Sequence, residues 1–193
     1  HEAKSLFRDF GIRTPRGIFF KDMNGIAGSL DNLEFPILVK VQTTVGGRGK
    51  AGGIRTALHK EEALEHCERL LGMRVSGMKA HGVLLEEMIQ ASREVYLALM
   101  VDQSSRSPLL LAGTAGGMDV EGMPERTIKS WTLDPLGKLP EDVVVQAANF
   151  LLRGGVGMQE VKETIRSMWE LFRSMDCELV EINPLMVTDS GKV

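Results

Sequence analysis

Phe35-Pro36-Ile37-Leu38-Val39-Lys40-Val41-Gln42, Thr43-Thr44-Val45, Gly46-Gly47-Arg48-Gly49-Lys50-Ala51-Gly52-Gly53 and Ile54-Arg55-Thr56-Ala57-Leu58 follow one another without a break, and the fold turns on how they are read. The outer runs are apolar and β-branched and predict two strands, with five glycines between Val45 and Gly53 joining them. Gly47 to Gly52 has the spacing GxGxxG. In a dinucleotide-binding turn, however, that loop opens a helix, and here a strand follows. A phosphate loop of the Walker type is excluded too, since Ala51 follows Lys50 and position 44 is threonine. What remains is a flap between strands whose unhindered N–H groups can close over phosphates, Arg48 and Lys50 adding charge. A long mobile hairpin is the plainer alternative. Alternation along the first strand puts Ile37, Val39 and Val41 on one face and Leu38, Lys40 and Gln42 on the other. A lysine buried in such a run needs an anionic partner, because an unpaired buried ammonium is very costly. A nucleotide phosphate would serve; an exposed lysine on an edge strand needs none.

Working outward, Ala3, Leu6, Phe7 and Phe10 lie at helical spacing, with Gly11 as the stop. Residues 60–71 predict a helix, with Ala63, Leu64, Cys67, Leu70 and Leu71 on one side. Strands are expected over 83–88, 94–101 and 108–112, forming an antiparallel meander whose first bend falls at Gln90-Ala91-Ser92-Arg93. The stretch from Gly113 to Pro140 is rich in Gly, Pro and Asp and is read as irregular. Two helices, 141–152 and 158–175, precede a last strand at 178–187, in which Pro184 suits an edge or a strand end. Helices in blocks and strands without regular crossovers favour an α+β fold over a doubly wound sheet.

Composition narrows the function. The 193 residues carry 23 basic and 26 acidic side chains, a net charge of -3, so nucleic acid and anionic membrane surfaces are not the expected partners. No apolar run approaches the roughly 20 residues needed to span a bilayer. Cys67 and Cys177 lack metal-ligand spacing and are read as reduced thiols, which suits the cytoplasm, or the mitochondrial matrix in a eukaryote. The start at His1 and the stop after Gly191-Lys192-Val193 read as a fragment whose pattern would continue into another strand.

Glu181 and Asn183 are two apart on the last strand and share a face, a pair of oxygen donors suited to a hard cation such as Mg2+ or simply to a solvated strand end. Glu86, Glu87 and Glu94 punctuate apolar strands in the same way. They could accept from a ribose, reach a metal or face water. His59, His66 and His81 show no ligand spacing, and no nucleophile with a base is visible, so any chemistry looks like phosphoryl transfer without a nucleophile in this chain.

Ala3-Lys4-Ser5-Leu6-Phe7, Val39-Lys40-Val41-Gln42, the glycine loop 46–53, Val101-Asp102-Gln103-Ser104-Ser105-Arg106, Leu133-Asp134-Pro135-Leu136 and Glu181-Ile182-Asn183-Pro184-Leu185 together resemble, in order over essentially the whole chain, the β subunit of succinyl-CoA synthetase and its acyl-CoA ligase relatives. The resemblance implies an α+β fold of the ATP-grasp type, a lid subdomain at about 15–90 closing on a second subdomain made of 1–14 and 91–193, with the nucleotide between them. It implies that Lys40 holds the phosphates, that Gly47, Arg48 and Gly49 form the flap, and that Glu86, Ile89 and Glu94 line the adenosine pocket. Asn183 matches a Mg2+ ligand, and Glu181 a carboxylate facing the phosphorylated histidine of a partner α subunit.

The implied reaction joins a carboxylic acid to CoA at the expense of ATP, through an acyl phosphate and a phosphohistidine, with the histidine and the CoA site on the α subunit. A second Mg2+ carboxylate and a C-terminal ligase domain are expected beyond Val193. Thr44 and Ala115 replace a histidine and a glutamate of the succinate enzymes. Malate-CoA ligase and the amino-terminal region of ATP-citrate lyase are relatives of the same kind, and Pro15 points to adenine over guanine. The contrasting reading is a non-catalytic, nucleotide-responsive interaction module.

Overall fold

The computed structural model describes residues 1–117 and 124–193. The irregular reading of 113–140 therefore falls partly on 118–123, which lie outside the described residues. In chain order the elements are α1 (Glu2–Asp9), β1 (Gly17–Phe20), α2 (Ile26–Leu30), β2 (Ile37–Gln42), β3 (Ile54–Ala57), α3 (Lys60–Leu71), β4 (Arg74–Val75), β5 (Met78–Lys79), β6 (Gly82–Glu87), β7 (Arg93–Asp102), β8 (Ser107–Gly113), β9 (Ile128–Thr132), α4 (Glu141–Leu152), α5 (Met158–Ser174) and β10 (Leu179–Val187). They divide into two compact units, one of His1 with Thr14–Ile89 and one of Glu2–Arg13 with Gln90–Val193.

The first unit is built on an antiparallel sheet in the order β1-β6-β2-β3. Ile37, Val39 and Val41 on β2 and Val83 and Leu85 on β6 point to one face of the sheet by strand alternation, and all five are fully or almost fully buried. They share their core with Ala63, Cys67 and Leu70 of α3. Each fully buried side chain of the Val or Leu kind stabilises by roughly 1.5–3 kcal/mol, so this face holds the unit together. Reciprocal bonds start α3: the His59 ring accepts from the Glu62 N–H, while the Glu62 carboxylate accepts from the Leu58 N–H at 2.7 Å. The opposite face of the sheet carries Leu38, Lys40, Leu84 and Glu86.

The second unit is an antiparallel sheet in the order β10-β7-β8-β9. The helices α4 and α5 cover one face, burying Val144, Ala147, Ile165, Met168 and Trp169 in one core with Val95, Leu97, Leu99, Leu110 and Val180. The Arg93 guanidinium donates to the Leu152 carbonyl at 2.8 Å, closing the C-terminus of α4, where Arg153 takes a left-handed conformation.

Two expectations are corrected. The bend at 90–93 is not a hairpin of one meander, because β6 and β7 belong to different sheets. Local sequence records that the chain turns there, not which strand it pairs with next; of the expected meander the β7–β8 pairing holds, and the strand that continues it, β9 (Ile128–Thr132), lies within the stretch read as irregular, where too few apolar residues alternate to mark it. Pro184 sits on the edge strand, as its missing N–H requires, at a register break. Both cysteines are free thiols, and among the described residues no helix is long and apolar enough to cross a membrane.

Candidate functional site

In the first unit the register opposes Lys40 to Leu84 and Leu38 to Glu86, which makes Lys40 and Glu86 diagonal neighbours on one face. The Lys40 ammonium donates to the Glu86 carboxylate. Glu86 is 1% exposed and Lys40 21%, so the carboxylate is sequestered and the ammonium is reachable. The anionic partner that a lysine at this position requires is thus supplied from within, by a residue 46 positions away, and Glu86 does not face water. An ammonium carries three donors, so a pair with one carboxylate leaves it able to meet a second anion.

The glycine loop leaves the end of this same strand. The Val41 N–H donates to the Gly53 carbonyl at 2.8 Å, the Gly53 N–H to the Arg48 carbonyl at 2.8 Å, and the Ala51 and Gly52 N–H groups to the Gly47 and Gly49 carbonyls at 3.0 and 2.9 Å. Three of the amides expected to face phosphates are therefore engaged inside the loop, which narrows the cradle to its 46–50 arc. Gly47 has φ +79°, a conformation that side chains resist, and an added Cβ there meets nothing within 4 Å. Gly53 is restricted differently: a Cβ would enter the Val41 side chain. Ile89 lies partly buried just beyond β6.

In the second unit Ile182 pairs with Leu97 and Leu185 with Val95, so Asn183 and Pro184 together oppose Tyr96 across a bulge. The bulge breaks the ladder where Pro184 could not donate to it and re-aims Asn183. Glu181 opposes Ala98, so Glu94, Tyr96 and Glu181 share the sheet face turned away from the helical core. Burial pushes the Tyr96 phenol up to about 12, with the charge of Glu181 and a hydrogen bond donated to it adding to the rise. Asn183 Oδ1 accepts the Gly117 N–H at 2.6 Å, and the Gly116 N–H donates to the Glu94 carbonyl at 2.9 Å.

Among the described residues no group of three or more His, Cys, Asp and Glu could hold a metal ion. A cation here would rest on the Asn183 carboxamide oxygen, with the Glu94 carboxylate on the same sheet face, taking its other ligands from water and phosphate. That sparse, all-oxygen donor set fits Mg2+.

Lys40 and Glu86 are in direct contact, Gly47, Arg48 and Gly49 form the loop beside them, and Glu94, Glu181 and Asn183 are grouped on the other unit. Sequence reasoning passed over Tyr96, Gly116 and Gly117. The first could have been found as the chain's single tyrosine, two residues from Glu94 on a strand, and the others as a glycine pair following Thr114 and Ala115 past the end of β8.

The ADP-forming succinate–CoA ligase subunit beta of Rubrobacter xylanophilus is 38% identical over 200 residues, covering 100% of this chain and 51% of the relative. Its counterpart in Pyrobaculum aerophilum is 35% identical over 199 residues, covering 100% and 52%. The chain spans about half the length of the curated relatives it matches. Among solved structures, the dinucleotide-forming acetyl-coenzyme A synthetase 1 of Ca. Korarchaeum cryptofilum, in complex with coenzyme A and Ca-AMPCP, superposes with a TM-score of 0.79 at 20% identity, over 99% of this chain and 87% of that one. At that identity the likeness shows the fold, an α+β arrangement of the ATP-grasp type. Residues 1–187 match the ATP-grasp domain throughout, and the chain belongs to that family.

Proposed function

We propose that this chain is the nucleotide-handling part of an acid–CoA ligase of the succinyl-CoA synthetase type, which forms acyl-CoA, ADP and phosphate from ATP, a carboxylic acid and CoA through a phosphohistidine on a partner α subunit. The observation that carries the reading is the Lys40 ammonium, held by a buried carboxylate at the root of a glycine loop. The likeness to beta subunits named for this reaction supports it. In this reading the unit of His1 with Thr14–Ile89 is the lid, and that of Glu2–Arg13 with Gln90–Val193 the second subdomain.

Glu86 fixes the Lys40 ammonium so that its remaining donors meet the triphosphate without reorganisation, a charge placed before the reaction begins. The 46–50 arc and Arg48 hold the phosphate oxygens, and Asn183 would hold Mg2+. When bound, Mg2+ supplies charge neutralisation at the phosphate oxygens. Glu181, steadied by the Tyr96 hydroxyl, faces the incoming imidazole and stabilises its cationic form. No nucleophile is needed in this chain: the partner's ring nitrogen attacks the γ-phosphorus and ADP leaves. Positioning and charge are the chain's contribution.

The test is label transfer from γ-labelled ATP to the partner's histidine in the full-length assembly. Transfer that is lost in Lys40→Ala and in Glu181→Gln is expected. Label passing at an undiminished rate through Lys40→Ala would overturn the reading, and ATP binding with no transfer would favour a nucleotide-responsive module.

A further inference from the structure

Gly116 lies against the bulge of β10 more closely than any other residue type could. A Cβ on it would stand 2.5 Å from the Val95 carbonyl oxygen and 2.9 Å from the Pro184 Cβ. Its N–H donates to the Glu94 carbonyl, which ties the segment after β8 to the start of β7, and the next N–H, that of Gly117, reaches Asn183 Oδ1 at 2.6 Å. Gly117 has φ +118°, which L side chains rarely adopt, and its own Cβ position is open, the nearest atom being Glu94 Oε2 at 4.0 Å. Two successive glycines are thus required for two different reasons, one for room and one for backbone conformation, and both requirements serve the same hydrogen bond.

We propose that the Gly116–Gly117 peptide is a positioning element for Asn183, fixing which end of the carboxamide is presented to a divalent cation bound with the nucleotide. The inference rests on the nucleotide reading given above. An asparagine carboxamide can flip, and only its oxygen ligates a hard cation. An N–H donor aimed at Oδ1 excludes the flipped form, in which two donors would face each other, and uses one of the two lone pairs, leaving the other for the cation. Backbone donors that orient a ligand in this way govern metal affinity although they never touch the metal.

The experiment titrates ATP into the chain by calorimetry, in EDTA and in MgCl2, for the wild type, Gly116→Ala and Gly117→Ala. In parallel, the Gly117 amide is followed by NMR in the wild type and in Asn183→Ala. The wild type gains affinity with Mg2+, whereas each glycine variant keeps its metal-free ATP affinity and loses about tenfold or more of the magnesium-dependent gain. The wild-type Gly117 amide moves when MgCl2 is added to the ATP complex and is already displaced in Asn183→Ala. Gly117→Ala, which meets no steric block, keeps the test decisive should Gly116→Ala fail to fold. A folded glycine variant that retains the full magnesium gain, or that loses affinity equally with and without the metal, overturns the proposal while leaving the nucleotide reading intact. A wild-type chain whose ATP affinity ignores Mg2+ overturns the nucleotide reading first and this inference with it.

Discussion

Replacing Lys40 by alanine leaves the Glu86 carboxylate, 1% exposed, without its cation. Breaking a buried pair from one side costs about 3–5 kcal/mol, because the remaining charge stays desolvated while losing its counter-charge. Lys40 is itself 21% exposed, so water can follow the vacated path, and the low end of about 3 kcal/mol applies. That is about a hundredfold or more in the local opening equilibrium. Both tryptophans lie in the second unit, so fluorescence would report the wrong half of the chain. Native-state hydrogen exchange at the Val41 and Leu85 amides, on the two strands that carry the pair, reads the loss directly. The double variant Lys40→Met with Glu86→Leu recovers most of it, since apolar replacement of a whole buried pair is close to neutral. Exchange in Lys40→Ala accelerated by less than about fivefold, equivalent to about 1 kcal/mol, would refute the reasoning, because Glu86 would then be solvated in a way its burial denies.

Other perturbations follow from single positions. Gly82→Ala puts a Cβ into the Phe19 ring and 2.5 Å from the Phe20 carbonyl oxygen, so urea denaturation is expected to show a loss of at least about 1–3 kcal/mol. Arg153→Gly relieves a left-handed residue at φ +51° that ends α4, and a gain of about 0.5–1 kcal/mol should appear in the same assay. The Asp102 carboxyl accepts from the Ser105 and Ser104 hydroxyls at 2.6 and 2.8 Å, which holds its pKa at about 2 against an ordinary 3.8. Its contribution is therefore complete above that ordinary value and is lost as pH falls toward about 2, and Asp102→Asn should flatten that acid limb of the stability profile.

The long helices were legible because their signals are redundant. In α5, Val161, Ile165, Met168, Trp169 and Phe172 repeat at helical spacing, and all are buried. By contrast β1 and α2, with four and five residues, are too short for any periodicity to show, and the β4–β5 hairpin has only two residues in each strand. Lys40 was recognisable as a lysine in need of an anion, but its partner Glu86 comes from a strand 46 residues on, a pairing that local pattern does not encode. The spacing of Glu181 and Asn183 put them on one strand face, a reading that suited a cation and a solvated strand end alike. Gly117 carried no such signal, because a backbone N–H leaves no mark in a sequence beyond the glycine that allows its conformation. The family resemblance, rather than any single motif, joined the glycine loop to the Asn183 strand.

The central claim is that Lys40, set by Glu86, holds nucleotide phosphates. Calorimetric titration of ATP with MgCl2 into the wild-type chain, and into the Lys40→Met, Glu86→Leu double variant shown to be folded by its hydrogen exchange, tests it most directly. Saturable binding by the wild type and none by the folded double variant is the predicted result. Equal binding by both, or none by a folded wild type, would contradict the account.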